Sequence, residues 1–247
     1  MQKFIRIYKP IGITPLELIH KFKSDNPEYQ DQKISYAGRL DPLAHGEMIL
    51  LIGEENKQRE KYLNLNKEYE FDVLIGLATD TYDILGLLQM DQTTPLPSDW
   101  KDTTRKYLEQ IIGRHFQPYP AYSTKPVNGK SLFQWAKEGK LSQIQIPTKE
   151  IEIYSANYLS NFEITSANLE KLVKERINLV SGDFRQKEII QIWHGYFRKN
   201  GDQIFNVAKL KVRCSSGTYV RSIAYNLGKY LGSGAIALDI KRTRIEI

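Results

Sequence analysis

Segments of two-residue periodicity and segments of helical periodicity alternate along this chain. That mixture predicts an α+β protein with a central, mixed but mostly antiparallel sheet flanked by helices. Three stretches carry the prediction. Lys67-Glu-Tyr-Glu-Phe-Asp-Val-Leu-Ile-Gly-Leu77 alternates, with Tyr69, Phe71, Val73, Ile75 and Leu77 on one face and Glu68, Glu70 and Asp72 on the other. Ala167 to Val180 instead sets Leu169, Leu172, Val173, Ile177 and Val180 at helical spacing. Phe205 to Gly228 combines both: a strand through Val207, Leu210 and Val212, a turn and cap at Ser216-Gly217-Thr218, and a helix whose stripe is Val220, Ile223, Ala224 and Leu227.

The remaining elements follow in order. Phe4 to Tyr8 alternates like a short strand, and Thr14 before Pro15 makes an N-cap for a helix ending near Lys23. Tyr36 to Gly46 is a loop: Gly38 and Gly46 permit unusual backbone angles, and Pro42 biases Asp41 away from helix. Glu47 to Gly53 is an apolar run of strand length, and Glu54 to Leu63 a charged helical segment. Asp80 and Asp83 sit in a loop where two carboxylates suit turn capping better than a metal. Met90 to Pro97 reads as a polar connection, Thr103 to Ile112 as a helix ending at Gly113, and Thr148 to Asn161 as a strand. Residues 166–202 are expected to form a helical hairpin, and Ala237 to Thr243 a last strand.

At 247 residues the chain can bury a substantial core, and it is expected to be a single domain over residues 1–247. The excess of 35 Lys and Arg over 29 Asp and Glu permits a polyanionic partner without requiring one. Cys214 is the single cysteine, so no internal disulfide can form, and His20, His45, His115 and His194 lack metal-ligand spacing. No apolar run is long enough for a bilayer, and no dinucleotide or phosphate-loop motif is present. A cytoplasmic protein without metal is the expectation. Cys214 also lacks the His-Asp partners of a nucleophile and reads as strand packing.

Asp41 is the candidate catalytic group, an acid in a stiff loop against a core strand; the alternative is an ordinary Asp-Pro turn. Gly38-Arg-Leu-Asp-Pro-Leu-Ala-His-Gly46 resembles the Gly-x-Leu-Asp-Pro-x-Ala-x-Gly signature of TruB-type pseudouridine synthases, with Asp41 at the essential aspartate. Further matches occur in the family's order: Lys9-Pro-Ile-Gly-Ile-Thr14, Lys67-Glu-Tyr69, Thr79-Asp-Thr-Tyr-Asp83, Gln117 to Lys130, and Cys214-Ser-Ser-Gly-Thr-Tyr-Val-Arg221. The last is the most specific. From the residues alone, Arg221 would be a solvated helix position and Tyr69 a core aromatic at the start of its strand.

The resemblance implies a pseudouridine synthase fold and a cofactor-free isomerisation of a T-loop uridine in tRNA. The N1–C1′ bond breaks, the uracil turns, and C5 rejoins the sugar. It implies Asp41 as nucleophile or base at the sugar, Tyr69 stacked on the flipped uracil, and Arg221 paired with Asp41. Residues about 116–139 would be an RNA clamp. RNA contacts are expected from Tyr36, Arg39, Lys67, Lys125, Lys130 and Tyr219, because cations meet phosphates and aromatics stack on splayed bases. Lys9, Pro10, Gly38, Leu40, Pro42 and Asp83 are expected to support the site. The T-arm of tRNA is the expected partner of a monomer, with no membrane or protein partner.

The departures are specific. Tyr36 stands where the family has histidine, His45 where it has threonine, and Arg39 is closer to the synthases of ribosomal RNA. Residues 166–202 read as an insertion. The resemblance reaches only to about Thr243, so the family's common C-terminal RNA-binding domain is expected to be missing and affinity to rest on the catalytic domain's own basic surface. A synthase of another RNA, or a non-catalytic RNA-folding module, are the alternatives; Asp41, Tyr69 and Arg221 together argue against the second.

Overall fold

The structure, a computed structural model, describes residues 3–89 and 96–247, so most of the Met90 to Pro97 connection lies outside the described residues. Its elements begin with β1 (Phe4–Lys9), α1 (Pro15–Asp25), β2 (Ile34–Ala37), β3 (His45–Ile52), α2 (Arg59–Leu63) and β4 (Lys67–Ile75). They continue with β5 (Ala78–Thr79), β6 (Leu88–Gln89), α3 (Trp100–Gln110), β7 (Gly113–Pro118), β8 (Pro126–Val127), β9 (Lys130–Ser131) and α4 (Leu132–Lys137). The last are β10 (Thr148–Thr165), α5 (Ser166–Asn178), α6 (Gln186–Asn200), β11 (Ile204–Cys214), α7 (Val220–Leu231) and β12 (Ala235–Ile245). No helix among the described residues is long and apolar enough to cross a membrane.

The main sheet runs β1-β3-β12-β4-β11-β10-β7, with β2 also paired to β3. Its pairings are antiparallel except where β12 meets β3 through Lys241↔His45 and Arg242↔Gly46. That short parallel contact brings the last strand against the end of the Asp41 loop.

β4 shows why both faces of the sheet are covered. Tyr69, Phe71 and Val73 stand opposite Val212, Leu210 and Ala208 of β11 on one face. There they pack with Val220, Ile223, Ala224 and Leu227 of α7 and with Trp100, Tyr107 and Leu108 of α3. On the other face Leu74 and Val207 lie under α5 and α6, which contribute Leu169, Val173, Ile177, Ile189, Trp193 and Phe197. Farther along that second face the ladder is charged: Lys209 pairs with Asp72 at 2.9 Å and Lys211 with Glu68 at 3.0 Å. The helical hairpin of residues 166–202 is therefore a covering layer of the sheet, a role its mixed charge had hidden.

Several boundaries differ from the sequence reading: the strand β2 runs into the expected loop, β3 begins at His45, β10 continues to Thr165, and β12 spans Ala235–Ile245. β7 was not anticipated: Gly113–Pro118 has no apolar alternation and becomes a strand only by pairing with residues 148–153 of β10. The segment assigned to the clamp accordingly leaves the sheet at Pro118. The helix α3 begins at Trp100, earlier than Thr103. Thr218 does not cap α7; its hydroxyl donates to the Ser215 carbonyl, and the N-cap residue is Tyr219.

Trp193 is almost completely buried, and its indole N–H donates to the Gly86 carbonyl at 3.1 Å. Trp193→Ala is expected to destabilise the protein by about 3–5 kcal/mol, read as a lower urea midpoint, because it empties a large site and orphans that carbonyl.

Candidate active site

The Asp41 loop joins β2 to β3, whose pairing holds its two ends side by side. Two buried cations fix the backbone between them. Lys9, fully buried at the end of β1, donates to the carbonyls of Pro10 at 2.9 Å, Ile13 at 2.7 Å and Pro42 at 3.2 Å. The Gly12 N–H reaches the same Pro42 carbonyl at 2.9 Å. Burial pushes the Lys9 ammonium down to about 8, offset in part by the nearby Asp41 charge. Arg242 of β12 donates to the Glu47 carbonyl at 2.6 Å and the Gly38 carbonyl at 3.1 Å. Gly46 allows that approach: a Cβ there would lie 2.2 Å from the Arg242 carbonyl oxygen. Lys9, Pro10, Gly38 and Pro42 thus stand at the loop's supports, and Leu40 is buried in the core below it.

The loop presents Asp41 to Arg221, one residue into α7. The Arg221 Nε donates to Asp41 Oδ2 at 2.8 Å, one η-nitrogen to the Thr81 carbonyl at 2.6 Å, and the other to the Tyr122 carbonyl at 3.3 Å. Asp83 lies 3.6 Å away on the same guanidinium. The Arg221 side chain is 4% exposed and that of Asp41 36%, so the cation is sealed in while the carboxylate opens to the outside. Asp83 is buried, and its carboxylate accepts from the Thr81 hydroxyl at 2.6 Å and the Leu85 N–H at 3.0 Å. Desolvation still raises the Asp83 carboxyl above its ordinary value, outweighing the attraction of Arg221.

Tyr69 lies in the core cluster with Leu40, Met48 and Val212, beside Arg242 in the β4–β12 register. Burial raises its phenol, Arg242 opposes that shift by charge and hydrogen bond, and the Asp41 charge adds to it. Tyr69 is thus a core-facing aromatic at the start of β4, as its alternation indicated.

The residues expected at RNA divide into two groups. At the rim, the exposed Arg39 donates to the Tyr36 hydroxyl at 3.0 Å. Tyr219 meets Tyr119 edge-on at 5.7 Å, and Lys125 lies 5.2 Å over Tyr119. Gln117 fixes this corner through both of its amide atoms: its oxygen accepts from the Tyr219 N–H at 2.7 Å and its nitrogen donates to the Tyr219 carbonyl at 3.2 Å. Lys130 pairs with Glu138 at 2.5 Å and lies 4.9 Å over Trp135, farther along the segment. Lys67 belongs to a different class. It is buried, and its ammonium donates to the carbonyls of Leu63 and Leu65, so it supports backbone instead of facing a phosphate.

Sequence reasoning missed Arg242 and the Thr81 and Tyr122 carbonyls. Arg242 had no distinct local signal, because β12 also carries Asp239, Lys241 and Arg244; the carbonyls left none either. The arrangement is a half-open carboxylate held by a buried guanidinium, beside a small cavity lined by Leu43, Ala44, Asp83 and Ile84.

Arg221→Met should lower stability by about 3–5 kcal/mol in urea denaturation, because it leaves the buried Asp83 carboxylate without its cation. Adding Asp83→Asn should recover part of that loss. Burial pushes the Cys214 thiol from 9.0 up to about 11. At pH 8 an aromatic disulfide reagent should therefore attack the native thiol at least ~100-fold more slowly than the urea-unfolded one.

Known proteins resemble this chain over nearly its whole length. Residues 27–176, more than half of the chain, match the model of the TruB family pseudouridylate synthase N-terminal domain. The chain is 27% identical over 246 residues to the tRNA pseudouridine synthase B of Aquifex aeolicus, covering 100% of this chain and 69% of that protein. It is 28% identical over 240 residues to the enzyme of the same name from Parabacteroides distasonis, covering 96% and 83% respectively. Against the Thermosipho melanesiensis tRNA pseudouridine synthase B, at 24% identity, it spans 64% of the relative's length. Among solved structures, a crystal structure of a Cbf5-Nop10-Gar1 complex shares the fold, with a TM-score of 0.58, 16% identity, and coverage of 98% of this chain and 48% of that one. A family match over most of the segment that carries Asp41, Tyr69, Asp83 and Tyr122 leaves one conclusion: the chain belongs to the TruB family of pseudouridylate synthases.

Proposed function

We propose that this protein is a tRNA pseudouridine synthase that flips a T-loop uridine out of its stack and isomerises it at Asp41. The observation that carries the reading is the Asp41–Arg221 pair: 2.8 Å between a sealed guanidinium and a carboxylate open on its other side. Asp41 acts at the sugar as nucleophile or as base while the N1–C1′ bond breaks. The uracil then turns so that C5 bonds to C1′, and the hydrogen lost from C5 is matched by one gained at N1. Nothing is oxidised or reduced, so the reaction needs no redox cofactor.

Tyr69 supports the everted base from below, where an aromatic face meets a pyrimidine. Arg39, Lys125 and Lys130 supply phosphate contacts, and Tyr36 and Tyr219 flank the base or its neighbours. Residues 1–247 work as one catalytic unit, with the segment after Pro118 closing on the T-arm. The names of the Aquifex and Parabacteroides relatives support tRNA as the substrate class.

Unmodified tRNA incubated with the protein should acquire pseudouridine in the T-loop, detected by mapping of the modified position. Asp41→Ala should lower the rate by at least ~10³-fold while tRNA affinity stays within about threefold. Conversion elsewhere would redirect the substrate assignment to another RNA. Binding without conversion, or turnover by Asp41→Ala at the wild-type rate, would remove the catalytic reading.

A further inference from the structure

We propose that Arg185, in the turn between α5 and α6, is a positioning residue for the chemical step, holding the segment after β7 where the Tyr122 carbonyl reaches Arg221. The inference rests on the reading of the site as a pseudouridine synthase centre, and goes beyond it by giving the helical hairpin a part in the reaction.

The turn of the hairpin sends Val180 and Phe184 into the apolar layer that α5 and α6 cover, while Arg185 reaches Asp80 and Tyr122 beside the site. Arg185 pairs with Asp80 through two hydrogen bonds, 2.7 Å to Oδ2 and 3.3 Å to Oδ1. Its guanidinium lies 4.5 Å from the centre of the Tyr122 ring. Asp80 is itself fixed, because its Oδ1 accepts from the Leu87 N–H at 2.8 Å. Arg185 thus joins a braced carboxylate on one side to the aromatic ring of the clamp segment on the other.

The backbone of Tyr122 continues the line. Its carbonyl accepts from Arg221, whose Nε donates to Asp41. A chain of contacts therefore runs from Arg185 through the Tyr122 ring and carbonyl to Arg221 and the reactive carboxylate. A second tie grips the far end of the same segment, where Lys137 of α4 pairs with Asp183 at 2.8 Å. The hairpin turn holds the clamp segment at both ends.

Two features separate this from an ordinary surface ion pair. The Arg185 and Asp80 side chains are only 17% and 20% exposed, so the pair is largely shielded from water and salt. Arg185 also adopts φ +63°, a left-handed conformation uncommon for a residue with a Cβ, which directs its side chain across the turn. A phosphate-binding role for Arg185 is disfavoured by the same geometry, since both outer nitrogens are already engaged by one carboxylate.

The test is single-turnover conversion of unmodified tRNA at saturating enzyme, alongside tRNA affinity and circular dichroism to normalise each rate to folded protein. Arg185→Ala should slow the chemical step ~10- to 100-fold with affinity changed less than about threefold, because displacement of a carbonyl that orients the catalytic pair acts on geometry, not on binding. Arg185→Lys, which keeps the charge opposite Asp80 but not the two-point contact, should recover an intermediate rate. Arg185→Ala at the wild-type rate overturns the inference. So does a loss that vanishes at saturation, or one that only tracks the folded fraction. A wild-type protein that forms no pseudouridine overturns the functional reading and this inference with it; an active wild type with an unaffected Arg185→Ala overturns the inference alone.

Discussion

A buried guanidinium cannot be left without partners, and the site is built around meeting that demand. Arg221 has its hydrogen bonds and charge met by Asp41, Thr81, Asp83 and Tyr122, groups from three loops that are distant in the chain. Desolvating a charge costs several kcal/mol unless its neighbours compensate, so any displacement of these loops carries a penalty. The same contacts hold Asp41 in one orientation. Fold stability and site geometry are therefore set by one set of hydrogen bonds.

The other buried cations act on the backbone. Lys9, Lys67 and Arg242 direct most of their donors to carbonyls around the Asp41 loop and the start of β4. Apart from that of Glu47 in β3, these carbonyls lie outside the sheet strands and need donors once water is excluded. Lysine and arginine supply several donors each at the end of a long stem, so one side chain can fix a whole turn.

Much of the architecture was legible because periodicity is a local property. The alternation of β4, the stripes of α5 and α7 and the Thr14 cap appear where their patterns place them. β7 escaped because a short polar edge strand is defined by its partner, β10, more than thirty residues away. Arg221 shows the same limit at the site. Its neighbours in α7 look like those of any amphipathic helix, and only the family resemblance placed it beside Asp41. The hairpin's job was hidden for a further reason: its apolar stripe gives a helix but not the surface it covers.

The sequence alone determined most of the long strands and helices and their order, the stiff Gly-Pro loop that carries Asp41, and, through its signatures, the meeting of Asp41 with Arg221. These follow from dihedral preferences and side-chain period, which each short segment carries within itself. Only the tertiary structure decided that Lys67 faces inward, that Asp41 and Asp83 share one arginine, and that the α5–α6 turn touches the segment after β7. Those outcomes depend on which distant groups are desolvated together, and that is a property of the packed chain as a whole.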